Sequence, residues 1–293
     1  MLHPAARPVE ACSPKWSGRM GPVHYIESGA GTPLVLLHAF PLDARMWNPV
    51  RGLLDDQLRV ITPDQRGLGE SALDGSSARS LAEPGENRRT AEHPSLDLAA
   101  ADILALLDRL ELPQVVLGGC SMGGYVAMAV LRSAPQRVAG LLLVDTKAVA
   151  DNDEQRANRL KVADRAAREG TGGWLADSTL PNLLGSTTHE RRPEVVASVR
   201  DLVYAQPADG VAWAQRAMAG RPDSVETLRS YTGPALVVVG EEDTLTPPEN
   251  ARELAGALSG SELVTLPGAG HLPSIESPDA FAEAVRPWLS RLG

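Results

Sequence analysis

The chain has 293 residues, 43% of them hydrophobic, and 28 Lys and Arg against 37 Asp and Glu give it a formal charge of −9. That length and apolar share suit one large α/β domain with an insertion, or about two domains, and exclude a mainly disordered chain. With only three lysines, Lys15, Lys147 and Lys161, there is no cationic footprint for phosphate, so nucleic acid is not an expected partner.

In chain order, residues 1–20 carry Pro4, Pro8 and Pro14 among small and polar types and are expected to form a loosely attached tail. The tail lacks the apolar stretch of a signal peptide. Apolar runs such as 34–37 and 141–144 fall far short of the roughly 20 residues that a membrane span needs. A cytoplasmic chain without membrane contact is therefore expected. Cys12 and Cys120 alone build neither a disulfide framework nor a zinc site.

Short apolar runs at 23–26, 34–37, 60–62, 115–117, 141–144, 235–239 and 263–265 predict strands. Several are continuously apolar, the pattern of strands buried on both faces of a mostly parallel sheet flanked by helices. Residues 73–94, rich in Ser, Gly, Pro and charge, predict a long surface insertion. After it Ser95 is placed to cap a helix whose Ile103, Leu106, Leu107 and Leu110 share one face. Between Lys147 and Tyr231 the pattern turns helical, with Val195, Val199, Leu202 and Val203 on one face and Val211, Ala214 and Met218 on another. The predicted organisation is a core over 21–146 and 232–293, with a helical cap over 147–231 inserted between two strands. Helices packed on the sheet edge are the plainer alternative.

The sharpest local signal is Gly119-Cys120-Ser121-Met122-Gly123, with a strand run before it and a helical stretch after it. A tight strand-to-helix turn drives its central residue to positive φ and leaves the side chain exposed above the sheet, which makes Ser121 the candidate nucleophile. Glycines flank it because a Cβ there would meet the neighbouring strand or helix. A serine hydroxyl needs a base, and the base needs an orienting group. Of the six histidines, His271 stands in a Gly-rich loop just past the last strand run, where ligand chemistry collects in open α/β sheets. His3 and His93 lie in loose segments, His24 in an edge strand, and His189 among surface charges of the cap. His38 is expected to brace its own loop. The orienting acid is Asp243 or Asp145, each at a strand exit, and the chain order Ser121, Asp243, His271 favours Asp243. Backbone N–H groups of Phe40 and Met122 are the candidate oxyanion donors, since Pro41 has none to give.

These strings, together with His38-Ala39-Phe40-Pro41, the run from Pro63 to Ser71, Gly240-Glu241-Glu242-Asp243 and Gly270-His271, resemble the α/β-hydrolase superfamily from about Gly21 onward. Within it the chain is most similar to the group of 3-oxoadipate enol-lactonases, carboxylesterases and cofactor-free haloperoxidases. The resemblance implies an α/β-hydrolase fold and a serine hydrolase of small carboxylic esters or lactones with no metal and no cofactor. Carbon–carbon, thioester or perhydrolysis chemistry, or a ligand-binding or rearranging protein on the same fold, are the alternatives. Ala39 stands where many relatives have a second glycine in the oxyanion turn, a change expected to narrow the pocket entrance slightly. Asp64 and Arg66 are expected to organise their loop, because Gly67 and Gly69 lack the third glycine of a dinucleotide fingerprint. Aromatic residues are scarce, at 4%. Trp47, Tyr125, Trp174, Tyr204 and Trp213 are expected to gather with Phe40 round one pocket as substrate-binding groups, with packing between cap helices as the alternative for Tyr204 and Trp213. Oligomeric state has no sequence signal.

Overall fold

The computed structural model describes residues 23–73 and 93–292. The expected N-terminal tail, Cys12 and nearly all of the 73–94 insertion lie outside the described residues. Every predicted strand run falls in or against a strand: β1 (Tyr25–Ser28), β2 (Thr32–Leu37), β3 (Leu58–Pro63), β4 (Val115–Cys120), β5 (Val138–Val144), β6 (Ala235–Gly240) and β7 (Glu262–Leu266). They form one sheet in the order β1-β3-β2-β4-β5-β6-β7. Only β1 runs antiparallel to its neighbour. All six residues of both β4 and β6 are buried, which is why these strands read as unbroken apolar runs.

Helices α1 (Asn48–Leu54), α2 (Leu96–Arg109) and α3 (Met122–Ser133) follow β2, β3 and β4 along the chain. The Ser95 hydroxyl accepts from the Leu98 N–H at 3.3 Å, and Ile103, Leu106 and Leu107 are buried, as the spacing predicts, while Leu110 is only half-buried just past the helix end. Between β5 and β6 the chain forms helices joined by loops, with no strand. There α4 (Asp153–Glu169), α5 (Trp174–Leu183), α6 (Ser186–Arg191), α7 (Pro193–Tyr204) and α8 (Ala208–Ala219) precede α9 (Val225–Arg229), which packs back on α3. A capping box between Asn152 and Gln155 starts α4, which lies along α8. The C-terminal part adds α10 (Pro248–Ala257), α11 (Pro273–Glu276) and α12 (Pro278–Leu289).

Strand order reverses direction between β2 and β4, and the C-terminal ends of these neighbours open the crevice where open α/β sheets hold their ligands. Two loops there are tied to the helical insertion by Gln206. Its amide donates to Asp43 Oδ2 at 2.7 Å, and its Oε1 accepts from the Gly69 N–H at 3.0 Å. Asp64 organises the loop as expected, accepting from the Ala44 and Glu70 N–H groups and from His24 Nδ1. Arg66 makes a fork to both oxygens of Asp102.

Candidate active site

β4 ends at Cys120, and α3 begins at Met122, so Ser121 alone makes the turn, with φ 53° and ψ −114°. Its N–H donates to Val144 O at 2.9 Å, and its carbonyl accepts from the Thr146 hydroxyl at 2.8 Å. These bonds hold the strained residue from the β5 side. A Cβ on Gly119 would lie 2.2 Å from the Gly123 carbonyl, and one on Gly123 would lie 2.2 Å from Leu37 O. The two glycines thus let α3 close onto β4 and β2 at once. Met122, as the first residue of α3, has an N–H that no helical carbonyl can take, and that N–H sits at the positive end of the helix dipole.

On the other side of the crevice, His271 follows β7, and its Nδ1–H donates to Asp243 Oδ2 at 2.8 Å. That bond leaves Nε2 as the free, basic nitrogen. Asp243 is held in turn by the N–H groups of Leu245 and Thr246, at 2.8 and 3.1 Å, and by the Thr246 hydroxyl at 2.6 Å. Burial works to raise its pKa, but the adjacent His271 and these donors outweigh it and hold the carboxyl below the usual carboxylate range. Asp243 therefore remains ionised.

Asp145 lies beside this pair in a different state. Burial, followed by the charge of Asp243, pushes its carboxyl well above the ordinary value. Its Oδ1 accepts from the Gly240 N–H at 2.8 Å, while Oδ2 has no hydrogen-bond partner among the described residues. Donor atoms of Asp145, Asp243 and His271 lie within 4.8 Å of one another, the only such group close enough to share a metal ion among the described residues. His271 Nδ1 and Asp243 Oδ2 are already bound to each other, so two of the three are engaged as a hydrogen-bonded pair. Because folding raises the Asp145 carboxyl, its cost to stability is absent below the unfolded value of about 4 and grows as pH rises above it. Asp145→Asn is therefore expected to gain on the wild type as pH rises from 4 to 8, by a few degrees in Tm, roughly what 1 kcal/mol is worth at this size. A Tm difference that stays flat across that range would contradict the assignment.

Ser121, His271, Phe40, Tyr125 and Thr246 line one cavity of about 430 Å³. Its outer wall comes from the helical insertion: Leu175, Thr179 and Leu183 of α5, Val162 and Arg159 of α4, Gln215 and Met218 of α8. Sequence patterning missed the polar part of this wall, Lys147, Asp151, Gln155, Asn158 and Arg159, because only the packing of α4 on α8 turns it inward.

The expected ring of aromatics does not form. Trp47 is fully buried below the site, 6.1 Å from the Phe281 ring. Trp174 bonds the Gly170 carbonyl and is covered by Arg165. Tyr204 is exposed, and Trp213 is buried against Arg66. None of these four lines the cavity. Ala39 is likewise fully buried and off the cavity wall, so its methyl does not narrow the entrance. The other histidines stand apart. His38 accepts from the Gln65 N–H at 2.8 Å and donates to Ala39 O, and burial lowers its basicity, which suits a loop brace. His24 bonds Asp64, and exposed His189 meets the Leu180 carbonyl.

The sequence profile described as "Alpha/beta hydrolase family" matches residues 34–284, and the chain belongs to that family. It is 31% identical over 270 residues to the dihydrolipoyllysine-residue acetyltransferase component of the acetoin cleaving system of Pseudomonas putida. The match takes in 89% of this chain and 64% of that protein, so the chain spans just under two thirds of that relative's length. Among solved structures, a malate-bound thermophilic esterase from Thermogutta terrifontis is 39% identical with a TM-score of 0.84, covering 92% of this chain and 93% of that one. The enol-lactonase from Burkholderia xenovorans LB400 is 29% identical with a TM-score of 0.78, covering 92% and 96%. No helix among the described residues is long and apolar enough to cross a membrane.

Proposed function

We propose that the protein hydrolyses a small carboxylic ester or lactone through an acyl-enzyme intermediate on Ser121. That it is an enzyme of the esterase and lactonase type follows from its family and from the likeness to solved structures of an esterase and an enol-lactonase. The observation that carries the finer reading is the cavity itself. One wall presents Ser121 at positive φ, and another presents His271 with its Nδ1 fixed on an ionised Asp243.

In this reading the Ser121 hydroxyl attacks the acyl carbon while His271 Nε2 takes its proton and passes it to the leaving oxygen. Asp243 keeps the imidazole in one tautomer and stabilises its cationic form. Charge developing on the carbonyl oxygen falls to the N–H groups of Phe40 and Met122, at the ends of neighbouring strands β2 and β4. A water deprotonated by His271 then releases the acid and restores Ser121. A fluorophosphonate probe tests this directly. Peptide mass mapping is expected to find the adduct on Ser121, and an intact protein that takes no label, or takes it elsewhere, would overturn the assignment.

A further inference from the structure

The cap side of the cavity holds an unbalanced set of charges. Asp151, with a side chain only 2% exposed, stands among three cations. Arg159 Nε and Arg221 Nη1 both reach its Oδ2, the latter at 2.8 Å, and Lys147 Nζ lies 3.3 Å from its Oδ1. Arg221 is fully committed, with its other nitrogen on Val149 O and its guanidinium stacked 4.1 Å from the Tyr125 ring. Lys147 and Arg159 instead line the cavity that holds Ser121 and His271. Asp151 is the only carboxylate among the residues that line it. Three positive charges thus face one negative charge in a place where solvent screens little.

A structural ion pair would be balanced, since surplus buried charge of one sign opposes folding. The surplus is felt locally: burial first, and then the repulsion of Arg221 and Arg159, pulls the Lys147 ammonium below its ordinary value against the attraction of Asp151. Asp151 stays ionised despite burial because Arg159 and Arg221 hold it there, so it cannot offset more than one of the three. Beside them Gln155, Asn158 and Gln215 are polar and offer further amide donors. This polar stretch, next to the apolar Val162, Leu175 and Met218, is where an anion would be accepted.

We propose that Lys147 and Arg159 form a carboxylate subsite, and that the ester or lactone hydrolysed at Ser121 carries a second, ionised carboxylate that docks there. Arg159 Nε is taken by Asp151 and its Nη1 meets Gln215 Oε1 and Met218 Sδ, which leaves Nη2 to donate to a carboxylate, and Lys147 adds a point charge beside it. Substrate charge then supplies the missing anion, so binding neutralises the wall and orients the scissile carbonyl toward Ser121. This proposal rests on the hydrolase reading, and its test is arranged to separate the two.

The test compares kcat/KM for monomethyl and dimethyl esters of the same dicarboxylic acids, from malonate to adipate, which differ in one charge. The monoester is expected to be cleaved at least tenfold better at its best chain length, and this ratio is expected to fall at least tenfold in Arg159→Met and in Lys147→Met. A merely structural role would lower both esters together and leave the ratio unmoved. A ratio below tenfold at every length, or one that both folded variants leave intact, overturns the subsite. If the wild type cleaves none of these esters, the hydrolase reading is the one that loses support, and calorimetric titration of the wild type with glutarate decides the subsite. Binding at least tenfold weaker in Arg159→Met upholds it; no binding, or equal binding, overturns it. Should a variant fail to fold, the wild-type ester ratio and the wild-type titration decide.

Discussion

Replacing Ser121 by Ala is expected to lower kcat on a cleaved ester or lactone by about 10⁶-fold, and Asp243→Asn by about 10⁴-fold. The first figure is large because the backbone that lifts a side chain into the cavity is specific to one residue, Ser121, with φ 53° between β4 and α3. Residual rate would come from the N–H groups that bind the oxyanion and from substrate positioning. The second figure follows from the tautomer. An Asn at 243 can donate its amide to His271 Nδ1, which would put the proton on Nε2 and leave no base facing Ser121. Asp145 is the control, because it sits in the same buried cluster and also follows a strand. Burial and the charge of Asp243 push its carboxyl toward the neutral form, and its Oδ1 serves the Gly240 N–H, so Asp145→Asn is expected to change kcat by less than about tenfold. Steady-state kinetics on one ester decide between them; a larger loss in Asp145→Asn than in Asp243→Asn would exchange the roles of the two acids.

Much of this site was legible because its signals are local. Gly119 and Gly123 are needed by contacts within a strand-turn-helix unit, and the strands announce themselves because burial on both faces leaves no room for alternation. The helix after Ser95 could be read from its cap and one apolar face for the same reason. What could not be read depends on tertiary packing. Trp47 follows Phe40 by only a few residues, yet a short 3-10 turn over Ala44–Trp47 buries it against Phe281. Lys147, Asp151 and Arg159 are spread over thirteen residues of ordinary polar composition, and nothing in that stretch says which side chains meet until α4 is laid against α8. Choosing between Asp145 and Asp243 likewise needed the distance to His271 and the opposite shifts of the two carboxyls. Sequence order points to Asp243, and it is Asp243 whose Oδ2 lies 2.8 Å from His271 Nδ1.

A residue with no sequence signal at all carries the second large effect: Glu276→Ala is expected to destabilise the protein by about 4 kcal/mol or more. Glu276 is fully buried at the end of α11. Its Oε1 accepts from the Gly270 and Leu272 N–H groups at 2.9 and 3.1 Å, on either side of His271. Its Oε2 accepts from the Gly185 N–H at 2.8 Å and the Thr188 hydroxyl at 2.7 Å, both in the helical insertion. One carboxylate thereby fixes the loop that carries the imidazole and fastens the insertion over it. Truncation leaves three backbone N–H groups and a hydroxyl without partners in a buried place, and each such loss costs about 1–3 kcal/mol, less where water can enter. Glu276→Gln keeps the volume but turns an NH₂ toward one of the two donor pairs, so a smaller loss of about 2 kcal/mol is expected. Neighbouring Glu242 works in parallel, accepting from the Thr187 N–H at 2.9 Å and from the Ser186 hydroxyl at 3.1 Å, but it is solvent-accessible, and its removal is expected to cost less. Denaturant unfolding measures the stabilities, and kinetics well below Tm separate positioning from folding. Loosening the amides beside His271 should lower kcat more than it raises KM in Glu276→Gln, whereas a Gln variant as stable and as fast as the wild type would show that the carboxylate holds neither loop.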